Sequence, residues 1–147
     1  MSPLRYPILS LVLMLSLFAC TARSTEDQVC FKRNCVDVSL AQTHEAREQG
    51  LKFVTRLEPN RGMLFIFPKS GQNNFWMKET MIPLDIIWMD YARRIIHIER
   101  NVPPCAIDPC PTYGPKKPAL YVLEVNANHA QEMGLRLGGE LEFKLKD

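Results

Sequence analysis

The sequence predicts a mainly β domain, a compact antiparallel β-sandwich or barrel-like sheet edged by about two short helices. Three features of the 147-residue chain lead there. Short alternating or unbroken apolar segments recur between turn signals. Only two windows carry both helix start and stop signals, and both are brief. Residues 101–118 hold six prolines, which fix φ and remove ladder donors, so this stretch is a stiff loop between the later strands.

In chain order, Val36-Asp37-Val38-Ser39-Leu40 alternates and reads as a strand. Thr43 can cap a short helix through Gln49, with Gly50 as its stop. Residues 51–62 look irregular. Met63 to Phe67 is an unbroken apolar run that Pro68 should end, as in a strand buried on both faces. Phe75 to Glu79 reads as a strand. Leu84 to Met89 and Arg94 to Glu99 read as a hairpin around Asp90-Tyr91-Ala92. Leu120 to Val125 is the next strand. Asn128, with Gln131 three residues on and Gly134 beyond, should cap a second helix. Glu140 to Leu145 closes the count at about seven strands.

The first nineteen residues read as an export signal. Arg5 precedes an apolar run, Ile8 to Phe18, whose length covers only about half of a bilayer core as a helix. The run ends Leu17-Phe18-Ala19-Cys20, similar to the bacterial lipobox. On that reading Cys20 receives a lipid and becomes the N-terminus of a protein anchored to the cell envelope. Thr21 after it favours the outer membrane if the host has two. The expected organisation is a signal peptide over 1–19, then a lipidated cysteine, polar tether and Cys30/Cys35 loop over 20–35. A single β-rich domain follows over 36–147.

Four further cysteines form two Cys-x4-Cys pairs, and export places them where disulfides persist. Cys30–Cys35 and Cys105–Cys110 is the favoured pairing, because partners are close in sequence and lie in loop-like stretches. A four-cysteine zinc site is the rival, at the edge of the usual ligand spacing. Without the leader, 17 basic residues face 16 acidic ones, so nothing favours a nucleic-acid partner. His44, His97 and His129 are scattered, with His44 and His129 expected at the surface, and no ligand spacing recurs. No metal and no cofactor is expected.

Several blocks then point to a family. Gly62 to Phe67, Phe75-Trp76-Met77-Lys78-Glu79-Thr80 and Ile82 to Ile87 resemble the signature blocks of domain of unknown function 192. Pro104-Cys105, Cys110-Pro111, Tyr113 and Tyr121-Val122-Leu123-Glu124 agree in order and spacing. The resemblance implies a compact, mostly antiparallel β fold, often exported, with no established activity. Two departures stand out. The arginine common after the first helix is absent in Lys52-Phe53-Val54, and Glu79 replaces a common asparagine. The Cys30/Cys35 pair is an addition to the common pattern, which supports pairing within each Cys-x4-Cys.

Charges inside apolar strands are costly unless paired or wet. Alternation puts Trp76, Lys78 and Thr80 on one strand face. Lys78, Asp85 and Glu124 are expected to converge on a polar pocket edged by Trp76 and Tyr113, a composition suited to small polar ligands. The leading expectation is a non-catalytic envelope domain that binds a small polar ligand or a protein partner. The alternatives are an enzyme acting on a cell-envelope carbohydrate, with Asp85 and Glu124 as acid and base, and a purely structural accessory subunit. Intact mass of detergent-extracted protein checks the covalent reading. The expected species lacks residues 1–19, carries acyl mass, and offers no alkylatable thiol at Cys30, Cys35, Cys105 or Cys110.

Overall fold

A computed structural model describes residues 26–146. The signal peptide and Cys20 lie outside the described residues. The elements are β1 (Gln28–Phe31), β2 (Asn34–Ala41), α1 (His44–Gln49), β3 (Arg61–Gly71), β4 (Phe75–Trp76), β5 (Leu84–Met89), β6 (Ile95–Val102), β7 (Thr112–Tyr113), β8 (Ala119–Asn126), α2 (His129–Glu132) and β9 (Glu142–Lys144). Seven strands form one sheet in the order β6-β5-β8-β3-β2-β1-β9, and β4 pairs with β7 in a separate ribbon. All pairings are antiparallel except β2 with β3, whose crossover carries α1.

The sheet curls into a half-barrel whose two edge strands approach at one corner, in keeping with the barrel-like reading. Ile95 N donates to Gly139 O at 2.8 Å, Gly138 N to Ile95 O at 2.8 Å and Leu141 N to Arg93 O at 3.0 Å. This seam joins the start of β6 to the turn before β9, and little strand edge is left open there.

Two apolar layers follow from the pleat. Leu64, Ile87, Met89, Leu123 and Val125 point inward and pack with Val29, Val36 and Val38. Phe65, Leu84, Ile86, Trp88 and Val122 point outward, beneath Leu51, Met77 and partly buried Phe75. Every residue of β5 is therefore buried. An outward aromatic cluster pins the covering loop. Phe75 meets Phe65 edge-on with centroids 4.9 Å apart and Trp88 at 5.9 Å, while Trp88 Nε1 donates to Asn73 O at 2.9 Å.

The structure corrects several sequence expectations. The domain begins before residue 36. Residues 28–31 are β1, and Cys30–Cys35 staples the β1–β2 hairpin across directly opposed positions, with Cα atoms 4.0 Å apart. Cys105–Cys110 closes the proline-rich loop. Both pairs are bonded, the mark of an oxidising, exported environment. β3 does not end at Pro68 but runs on to Gly71 through an irregularity after Ile66, where a missing donor is tolerated. The strand expected over 75–79 is regular only through Trp76. The proline-rich stretch includes the two residues of β7.

Thr43 caps α1 as its sequence implies, with Oγ1 accepting from Ala46 N at 3.1 Å. Asn128 does not cap α2. It sits at φ 72°, outside the extended region a capping side chain needs, and its side chain makes no cap bond. Asp85 takes over that role from β5. Its Oδ2 accepts from Ala130 N at 2.9 Å and its Oδ1 from Asn101 N at 2.8 Å, inside a fully buried site. Asp85→Ala leaves both N–H groups unsatisfied and should cost about 2–4 kcal/mol in urea unfolding. Asp85→Asn, with one oxygen and one opposing NH2, should fall between that variant and the parent.

Candidate functional site

The outer layer is incomplete above β8, and a groove lies there. The segment after β4 forms one wall. Because Phe75 and Met77 turn into the outer core, Trp76 and Lys78 turn out, and Trp76 is half exposed. The end of α1 and residues 50–52 form the other wall. The Cys105–Cys110 loop bounds one end.

Three concavities share these walls. A slot of about 50 Å³ is lined by Trp76, Lys78, Thr80, Phe65, Phe75 and Glu124, with Arg47, Glu48 and Lys52 at its edge. Lys78 and Thr80 also line a space of about 330 Å³ under the disulfide loop, with Phe53, Met81 and Asp108. Trp76, Arg47 and Lys52 also line a space of about 420 Å³ beside α1.

Glu124 is the floor of the slot. Its side of β8 is the outward one, beside Val122 and opposite Ile86 on β5. It is 4 % exposed. Its carboxyl has no hydrogen bond or ion pair among the described residues, and burial pushes its pKa up to about 8. A carboxyl in this state is largely protonated at neutral pH and both donates and accepts.

The cations around it are already engaged. Lys78 Nζ contacts Asp108 Oδ2 at 2.7 Å and lies 5.6 Å from the Trp76 ring centre. The hydrogen bond and charge of Asp108 hold the Lys78 ammonium above the usual lysine range. Lys52 Nζ reaches Glu79 Oε2 at 3.2 Å. Arg47 donates to the carbonyls of Gln42 and Ile66, the latter at 3.0 Å. The backbone at the rim is unusual too. Phe53 and Glu79 both have φ near 63°, and Phe53 N donates to Glu79 O at 2.8 Å. Non-glycine residues held there store strain, a common property of binding sites.

Of the residues singled out from sequence, Trp76, Lys78, Thr80 and Glu124 meet around this slot. Asp85 does not. It is paired with Val125, one residue out of step with Glu124, so its carboxyl enters the barrel interior while that of Glu124 leaves it. The two acids lie on opposite faces of the sheet and cannot flank one substrate as acid and base. Tyr113 pairs with Phe75 and packs on the outer core without lining the groove. Arg47, Met81 and Asp108 complete the walls together with Lys52 and Phe53, which the sequence marks only as a departure from the family pattern. Phe53 is 62 % and Met81 56 % exposed, and no periodic pattern in their irregular segments reveals that. No three His, Cys, Asp or Glu side chains converge as a metal site among the described residues. A separate concavity of about 340 Å³ adjoins α2, where His129, mostly buried rather than exposed, bonds Glu132 at 2.9 Å.

The family model of domain of unknown function 192, described as uncharacterized ACR, matches residues 27–143. Two solved structures are similar. One is a candidate transcription regulator from Sinorhizobium meliloti, 30% identical, covering 80% of this chain and 91% of that one with a TM-score of 0.72. The other is a protein of unknown function from Novosphingobium aromaticivorans, 32% identical, covering 79% and 82% with a TM-score of 0.72. No protein with a curated description matches the chain.

The raised pKa of Glu124 has a signed consequence. From the ordinary value of 4.5 to about 8 the unfolded chain gives up this proton while the folded one keeps it. Stability is therefore greatest below the lower value, falls as pH rises between the two, and levels off above the higher. Glu124→Gln should remove this component. Its melting temperature should exceed that of the parent near pH 8 and approach it near pH 4.5, read by calorimetry across the range. Parallel profiles for the two proteins would contradict the buried, unpartnered carboxyl.

Proposed function

The chain belongs to the domain of unknown function 192 family, and we propose that this member is a non-catalytic binding module of the bacterial cell envelope. Its ligand lies in the groove above β8, and a lipid on Cys20 fastens the domain to a membrane. The observation that carries the binding site is the Glu124 carboxyl. A buried polar group normally finds a partner within the fold. This one has none among the described residues and faces a slot with an aromatic wall and open space on both sides. A ligand in the slot meets a carboxyl that the fold itself leaves without a protein partner among the described residues.

Several features support binding over chemistry. The pair of acids needed for glycoside cleavage is split between the two faces of the sheet. The Lys78 and Lys52 ammonium groups are committed to ion pairs, which suits rigid walls better than proton transfer. The anchor reading rests on the sequence before the fold, Leu17-Phe18-Ala19-Cys20, and on the oxidising compartment that two disulfides require. The regulatory description of one relative brings no nucleic-acid partner to this chain, because its charge is close to balanced.

A thermal-shift screen of sugars, envelope peptides and peptidoglycan fragments tests the groove. At least one compound should raise the melting temperature of the parent. Trp76→Ala should weaken that compound by about tenfold or more, since a stacking face of this size contributes on the order of 1–3 kcal/mol. The unliganded variant should melt within about 2 °C of the parent, because Trp76 is half exposed. Hits that bind Trp76→Ala and the parent equally would place the site elsewhere.

A further inference from the structure

We infer that the slot above Glu124 receives an uncharged primary carboxamide, the head of an asparagine or glutamine side chain on an extended polypeptide lying along the groove. This rests on the groove being a binding site, and it names the chemistry of the occupant.

The slot is selective by exclusion. The charged groups that line it are Arg47, Glu48, Lys52, Lys78 and Glu124. Lys52 pairs with Glu79, Lys78 with Asp108 and Glu48 with His44, while Arg47 is held by backbone carbonyls. Glu124 alone is left without a partner, and burial keeps it in the neutral form. A neutral carboxyl offers one O–H donor beside one C=O acceptor. A primary carboxamide presents the complement, an acceptor and a donor side by side. A carboxylate has no donor for the Glu124 carbonyl. An ammonium has no acceptor for the O–H, and it would sit among Arg47, Lys52 and Lys78. A trans secondary amide points its N–H and C=O in opposite directions, so neither a peptide bond nor an N-acetyl sugar meets both atoms at once.

Size and surroundings agree. A volume of about 50 Å³ suits a small planar head and no ring. The spaces of about 330 and 420 Å³ share side chains with the slot, so a bound head has room for chain on both sides. Exposed Phe53, Met81 and Trp76 lie along those spaces. Aromatic residues and methionine are the side chains enriched where proteins meet.

Four blocked peptides of about seven residues, spanning about 23 Å extended, test this. They carry acetyl and N-methylamide ends and differ only in a central glutamine, glutamate, lysine or norleucine. Each is titrated calorimetrically into the mature domain, with the Glu124 carboxyl followed by 13C NMR. The glutamine peptide should bind at least about tenfold tighter than the others, raise the midpoint of Glu124 further, and weaken above about pH 8. Glu124→Met, which fills the slot without polar atoms, should erase the glutamine preference while remaining folded by circular dichroism. Tighter binding of the lysine peptide with proton release would overturn the carboxamide assignment and leave the binding groove intact. Equal binding of all four, or an unchanged preference in Glu124→Met, would overturn it as well. Failure of all four peptides while a saccharide binds in a Trp76-dependent way would overturn the polypeptide ligand alone among the two readings. Failure of every probe would remove both.

Discussion

The architecture depends on three central strands, β3, β5 and β8, being covered on both faces. Leu64, Ile87 and Leu123 fill the barrel, while Phe65, Ile86 and Val122 lie under the outer layer. No side chain on β5 reaches water, and few on β8 do. Any polar group placed there must find partners inside the protein, reach the groove, or carry a cost of desolvation. The chain puts one carboxyl on each face, and the two fare differently. Asp85 receives two backbone N–H groups and ties β5 to α2 and to the end of β6. Glu124 receives none and is held neutral by its surroundings. The first acid serves the fold. The second serves nothing visible in the fold, and this contrast is the physical ground for assigning it to a ligand.

Much of the fold was legible in local patterns. Alternation located β2, apolar segments between turn signals located the hairpin of β5 and β6 and the run of β8, and Thr43 with Gly50 marked both ends of α1. Paired Cys-x4-Cys spacing gave both disulfides. Strand alternation places Trp76, Lys78 and Thr80 on one face, and all three reach the slot. Other features depend on contacts between distant segments and leave no local trace. Continuous apolar runs such as those of β5 and β8 carry no face label, so only strand register could tell that Asp85 and Glu124 diverge. The failure of Asn128 as a cap has the same origin. A carboxylate more than forty positions earlier had taken its place. The curl of the sheet is held at one corner by backbone bonds between residues 93–95 and 138–141, which no side-chain pattern encodes.

The two departures from the common family pattern acquire a reason at the groove. Glu79 occupies a backbone conformation at φ 63°, which asparagine adopts more readily than glutamate. The asparagine that the resemblance leads one to expect there would adopt it with less strain. In this protein Glu79 accepts the strain and turns its carboxylate to Lys52, in the segment after α1 where the other departure lies. The antiparallel contact of Lys52 with Thr80 and the bond from Phe53 N to Glu79 O bring the two segments together regardless of side chain. The backbone frame of the groove is thus separable from its charges. Residues on the frame can change the lining without changing the fold.

The disulfide loop extends this argument from frame to function. The Cys105–Cys110 bond closes a short segment within the proline-rich loop. Within it Asp108 meets Lys78, and its own backbone meets the strand-like residues after β4 through Cys105 N and Met77 O. One covalent link therefore fixes the end wall of the groove, the partner of Lys78, and the height of the loop above Phe53 and Met81. A binding site gains affinity when such parts are set in advance, because less freedom is lost on association. The same staple in a reducing compartment would be lost, and with it the shape of one side of the groove. Site and compartment are linked through that bond, because the wall it fixes persists only where disulfides persist.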